Sequence, residues 1–136
     1  MNRITVKATK ENMTAVMAFL DEELEKADCM IKAQTQVDVA VDEVYTNIAS
    51  YAYPSVVGDA TIEFEVDDAT GIASITFRDQ GIPYNPLEKE DPDINLPAEE
   101  RPIGGLGIFL VRKLMDEVLY RYENGSNILT IRKKIR

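Results

Sequence analysis

A chain of 136 residues, 45% hydrophobic and 29% charged, can build one core without disulfides or a structural metal. Its formal net charge of −9 lacks the basic footprint of a nucleic-acid binder, and no apolar run is long enough to span a membrane. One cysteine and no histidine exclude an internal disulfide and any histidine base, histidine ligand or phosphohistidine.

The opening residues Met1 to Val6 do not form a signal peptide, so a single cytoplasmic domain over 1–136 is expected, with no direct nucleic-acid or membrane partner. Ile4, Val6 and Ala8 alternate and predict a short strand over residues 2 to 8. Thr9 is placed to cap the next element. Met13, Val16, Met17, Leu20, Leu24 and Ala27 then recur at helical spacing, predicting an amphipathic helix from about 10 to 27 with both methionines in the core. Val37, Val41, Val44, Ile48 and Tyr51 form the stripe of a second helix, about 32 to 52, which Pro54 ends.

Residues 60 to 66 alternate Ile62, Phe64 and Val66 against Thr61, Glu63 and Glu65, and a turn at Asp67 to Gly71 leads to a second run, Ile72 to Phe77. That pattern reads as a β-hairpin. The stretch from 80 to 105 holds five of the six prolines and shows no periodicity. Connections of this length inside a compact domain are usually functional. Helical spacing resumes over 106 to 116 with Leu106, Phe109, Leu110, Val111, Leu114 and Met115. A closing hairpin follows, with arms at 117–123 and 127–134 and the turn pair Asn124-Gly125. The order β-α-α-β-β-loop-α-β-β predicts an α+β two-layer sandwich, three helices on one face of a mixed, mostly antiparallel sheet.

Three constellations carry chemistry. In Asp42-Glu43-Val44-Tyr45-Thr46-Asn47, Glu43 and Asn47 are four apart and share a helix face at the margin of the apolar stripe. A carboxylate there can accept a proton from a hydroxyl, and an amide oxygen is a hard ligand suited to Mg²⁺. In Phe77-Arg78-Asp79-Gln80-Gly81-Ile82-Pro83-Tyr84-Asn85-Pro86, a strand delivers Asp79 into a turn where Gly81 permits close backbone approach. Such an aspartate can accept from an exocyclic amine. In Gly104-Gly105-Leu106-Gly107, glycines lead into a helix whose first N–H groups favour bound phosphate. The Gly-Lys-Ser/Thr ending of a Walker A loop is missing, and a proline-rich loop rather than a strand precedes, which departs from a Rossmann fingerprint.

In this order the three resemble the N, G1 and G2 boxes of the GHKL ATPase superfamily, whose architecture is the Bergerat ATP-binding fold. The Pro83-Tyr84-Asn85-Pro86 ending of the second box and the Met115-Asp116 exit of the third helix are similar to those of anti-sigma factor serine kinases. The resemblance covers essentially the whole chain. It implies ATP and Mg²⁺ as cofactors, Asn47 as the Mg²⁺ ligand and Glu43 as general base for a serine hydroxyl. It implies Asp79 and Gly81 at the adenine, Gly104, Gly105 and Gly107 at the phosphates, and residues 87 to 104 as an ATP lid. Arg101, the cation in that lid, stands further upstream of the glycines than in such kinases, with Pro102 and Ile103 between. The implied partners are an anti-sigma factor antagonist protein, a sigma factor and a second copy in a homodimer. The implied activity is ATP-dependent serine phosphorylation of the antagonist together with sequestration of the sigma factor. A second reading is a nucleotide-binding module that captures a partner without phosphoryl transfer.

Overall fold

Residues 1–88 and 106–136 are described by the computed structural model. The alternating segments become strands β1 (Asn2–Lys7), β2 (Asp59–Asp67), β3 (Ile72–Asp79), β4 (Glu117–Glu123) and β5 (Ser126–Lys134). They form one sheet in the order β1-β2-β3-β5-β4, and all four pairings are antiparallel, so no parallel pair makes the sheet mixed among the described residues. Three helices, α1 (Met13–Lys26), α2 (Ile31–Asn47) and α3 (Leu106–Leu114), supply the second layer. None of the described helices is long and apolar enough to cross a membrane.

The core lies between the layers. Ile62, Phe64, Ile75, Phe77, Leu129 and Ile131 line the inner sheet face. Val16, Leu20 and Leu24 of α1, Val37, Val41 and Val44 of α2, and Ile108 and Val111 of α3 cover them. Met13 and Met17 pack against this core from its edge, half-buried. Fully burying one such side chain is worth about 1.5–3 kcal/mol, so the alternation and the helical stripes together dictate which faces meet. The outer sheet face carries the polar half of the alternation. There the hydroxyls of Thr5 and Thr61 meet at 2.8 Å, and those of Thr76 and Thr130 at 3.1 Å. Buried Glu63 accepts from Arg78 at 2.9 Å and lies 3.6 Å from Arg3.

Local chemistry sets the ends of the elements. Thr9 makes no side-chain cap, and a short 3₁₀ turn, Lys10–Asn12, precedes α1. Helix α1 stops because Asp28 adopts a left-handed φ of 57°, with Asp28 N–H donating to Glu25 O and Cys29 N–H to Leu24 O, both at 3.1 Å. The β4–β5 hairpin turns on Asn124 and Gly125, whose φ values of 53° and 77° are the positive pair a tight two-residue turn requires. The second helix departs from expectation. Its α-geometry ends at Asn47, and a π-helical turn, Ile48–Ala52, carries the chain on to Tyr53. Such π turns recur beside functional sites.

Tyr45 locks α2 in rotation. Its side chain is fully buried, and its hydroxyl donates to the Thr9 carbonyl at 2.7 Å, with the Lys7 carbonyl 3.2 Å away. Burial raises the Tyr45 pKa above that of a free tyrosine. Tyr45→Phe keeps the ring and leaves the Thr9 carbonyl without this donor, so it should lower stability by about 1–3 kcal/mol in urea unfolding.

Candidate functional site

The lock at Tyr45 turns the opposite side of α2 toward α3 and the sheet. A cleft of about 620 Å³, counted out to its open mouth, lies between the end of α2, the π turn, the 80–86 turn, α3 and the ends of β3 to β5. Its walls are mainly apolar: Val44, Ile48, Phe77, Ile82, Ile108 and Leu129. The polar groups among them are few. Asn47, Asp79 and Tyr84 come from the predicted motifs, and Asn127 and Tyr120 were not anticipated. An apolar slot with a few fixed polar groups is the usual form of a small-molecule site.

Asp79 is buried at the end of β3, and its carboxylate is fixed by two donors on one oxygen. Gly81 N–H and Asn127 Nδ2 each donate to Asp79 Oδ1 at 2.9 Å. No hydrogen bond from the described residues falls on Oδ2, the oxygen left to accept from a guest. Asn127, in register with Asp79 across the β3–β5 pair, uses its whole hydrogen-bonding capacity here. Its amide nitrogen also donates to the Ile82 carbonyl at 2.9 Å. Its amide oxygen accepts from Tyr84 N–H at 3.1 Å and from the Tyr120 hydroxyl at 2.5 Å. One side chain therefore ties β3, β4 and the 80–86 turn together. Burial pushes the Tyr120 phenol up from its ordinary pKa, against the opposing pull of its backbone hydrogen bond to Tyr84.

The turn itself depends on Gly81. A Cβ there would stand 2.2 Å from the Ala52 carbonyl oxygen, the end of the π turn. Ile82 N–H donates to that same oxygen at 2.9 Å. The Tyr53 hydroxyl completes the junction, donating to Asp59 O at 2.7 Å and accepting from Gln80 N–H at 2.8 Å. The glycine therefore permits close backbone contact between the π turn and the Asp79 turn.

Glu43 and Gly107 also come together. A Cβ on Gly107 would lie 2.5 Å from Glu43 Oε2, so the Glu43 carboxylate rests against the first turn of α3. Glu43 is half-buried, and it stands one helical turn from Asn47, which lines the cleft. Two of the expected constellations, on α2 and at the start of α3, thus meet, and Asn47 and Asp79 share one cleft. Arg101, Gly104 and Gly105 lie outside the described residues, as does the expected lid except Leu87 and Glu88. Those two belong to a 3₁₀ turn, Pro86–Glu88, and Arg112 Nη2 donates to the Leu87 carbonyl at 2.7 Å. The weak signal for Asn127 was a polar residue on the inward side of an otherwise apolar strand, directly after a hairpin turn.

Comparison with known proteins shows the family and the fold. The family model described as a histidine kinase-like ATPase domain matches residues 6–133. Among curated proteins, the serine-protein kinase RsbW of Bacillus mycoides (strain KBAB4) is 35% identical over 95 residues, and that of Bacillus cereus (strain B4264) is 36% identical. Each match covers 67% of this chain but 58% of the relative, so the chain spans less than two thirds of the length of these relatives. Among solved structures, the RsbU and RsbW domains of Rv1364c from Mycobacterium tuberculosis align with a TM-score of 0.66 at 14% identity, over 99% of this chain and 33% of that one. The histidine kinase domain of the blue-light activated kinase EL346 from Erythrobacter litoralis aligns at 0.56 with 20% identity, over 76% of this chain and 45% of that one. At these identities the two structures speak for the fold alone, three helices on an open five-stranded antiparallel sheet. The family model matches nearly end to end, and this chain belongs to the histidine kinase-like ATPase domain family.

Proposed function

We propose that the cleft binds ATP and that the protein is a serine kinase and anti-sigma factor acting on a small antagonist protein. The observation that carries the nucleotide reading is Asp79. It is a buried carboxylate with one oxygen locked by Gly81 and Asn127 and the other open, at the end of an apolar slot. That arrangement suits a flat heterocycle presenting one amine. Ile82, Phe77, Ile108 and Leu129 would hold its faces out of water, and Asp79 Oδ2 would accept from the exocyclic amine. Gly107 would let phosphate approach the first turn of α3, where the helix dipole favours negative charge.

Asn47 fits a Mg²⁺ role by its chemistry and position: a hard amide oxygen at the cleft wall with no hydrogen bond among the described residues. No three His, Cys, Asp or Glu side chains gather into a metal site among those residues, so an ion at Asn47 would draw most of its ligands from phosphate and water. When bound, Mg-ATP supplies an electrophilic phosphoryl group whose transfer needs mainly positioning and charge neutralisation. Glu43, held against α3, would take the proton of an incoming serine hydroxyl. The kinase names of the curated relatives support phosphoryl transfer, and the partners proposed with it are an antagonist protein, a sigma factor and a second copy of this chain.

Three outcomes test this reading. Asn127→Ala removes a donor to Asp79 and an acceptor of the Tyr120 hydroxyl, so it should weaken ATP binding roughly tenfold or more, about 1.5–3 kcal/mol, by calorimetry. Unchanged affinity would remove Asp79 from the adenine site. Glu43→Gln should lower phosphate transfer to a cognate antagonist by roughly 10²–10⁴-fold while ATP affinity changes little, because the base acts only in the transition state. Gly107→Ala places a methyl group against the Glu43 carboxylate and should lower the same transfer rate. If the wild-type protein binds ATP and a sigma factor yet labels no antagonist with γ-phosphate, the chain is a binding module rather than a kinase.

A further inference from the structure

A second cluster of titratable groups lies away from the cleft, where α1 packs on α2. Asp21 projects from α1, and Asp38 of α2 stands one helical turn after Gln34, the residue that reaches Asp21. Gln34 Nε2 donates to Asp21 Oδ1 at 3.2 Å, across the same contact. Asp38 Oδ1 is shielded from solvent and has no hydrogen-bond partner among the described residues. Neither carboxylate has a basic partner among the ion pairs of those residues. Two ionised carboxylates offer only acceptors, and a buried acceptor without a donor is costly. A single proton between them removes the like-charge repulsion and creates the missing donor.

The groups around Asp38 act in one direction. From α1 it faces Asp21, and from the α1–α2 connection it faces Cys29, whose thiol pKa is raised by burial and then by the charge of Asp38. Elements α3 and β5, which also pack on α2, put no titratable charge on it among the described residues. Burial first, and then the contact with Asp21, hold the Asp38 carboxyl up at about 7.

We propose that Asp21 and Asp38 share one proton and form a pH-sensitive latch between α1 and α2 that releases when that proton is lost. The unfolded Asp38 ionises near 3.8 and the folded one at about 7, so the folded chain holds the extra proton between those values. The stabilisation is complete below the lower value and is lost as pH rises through the upper one. Helix α2 also carries Glu43 and Asn47, so release of the latch loosens the helix on which the cleft is built. The latch itself does not depend on what the cleft binds.

Carboxyl-detected NMR of the whole chain tests the latch directly. Asp38 should titrate with a midpoint near 7 in the wild type. Asp21→Asn, which replaces the neighbouring charge with an amide donor, should bring that midpoint down toward the ordinary aspartate range. An Asp38 midpoint near that ordinary range in the wild type overturns the proposal, and so does a midpoint that Asp21→Asn leaves unmoved. Urea unfolding supplies an independent readout. Between about pH 6 and about pH 8.5 the wild-type midpoint should fall, while that of Asp38→Asn, which keeps a permanent donor at this position, should hold steady. A fall of equal size in Asp38→Asn also overturns it.

Discussion

The hydrogen-bonded amide of Asn127 is the constraint on which the cleft depends. Asp79 ends a strand and would otherwise be a loop-side carboxylate free to turn to water. Because Asn127 stands in register with it, one donor fixes its Oδ1, and the other donor holds the Ile82 carbonyl of the following turn. The same amide takes in the Tyr84 N–H and the Tyr120 hydroxyl, so the turn and the edge strand β4 are set by one side chain. Buried polar networks are favourable only when every member is satisfied, and at Asn127 every donor and acceptor is used. The result is a carboxylate with one oxygen committed and one available, which is what recognition of a single amine requires.

The other half of the cleft is set by backbone packing rather than by polar bonds. Tyr45 fixes the rotation of α2, which brings Glu43 to α3 and Asn47 to the cleft wall. After Asn47 the widened π turn delivers the Ala52 carbonyl to the Asp79 turn, where a side chain at position 81 would collide with it. Glycine at 81 and at 107 therefore serves the same purpose at opposite sides of the site: each leaves room for a neighbour that any larger residue would displace.

Much of this was readable before the structure. The strands, the three helices and the Asn124-Gly125 turn came from periodicities of two and 3.6 and from local turn chemistry, which are short-range properties. Glu43 and Asn47 were paired by helical spacing, and Asp79 and Gly81 by their place after a strand. What escaped depends on long-range pairing. Asn127 gains its meaning only when β5 lies beside β3, a neighbour far away in sequence, and Tyr120 only when β4 flanks β5. The π turn was hidden because Ile48 and Tyr51 extend the apolar stripe as well in a π turn as in an α-helix. The Asp21–Asp38 contact was hidden because each residue, taken alone, sits on the polar side of its helix. The pairing of β3 with β5, antiparallel like the other three pairings among the described residues, is what the sequence pattern left open.

The central claim is that Asp79 reads an adenine amine in this cleft. The most direct test compares the affinity of the intact protein for ATP with that for purine riboside triphosphate, which lacks only the 6-amino group. The account predicts that ATP binds roughly tenfold or more tightly, because a bound purine without the amine would shut Asp79 Oδ2 away from water without a donor. Equal affinity for the two nucleotides would contradict it.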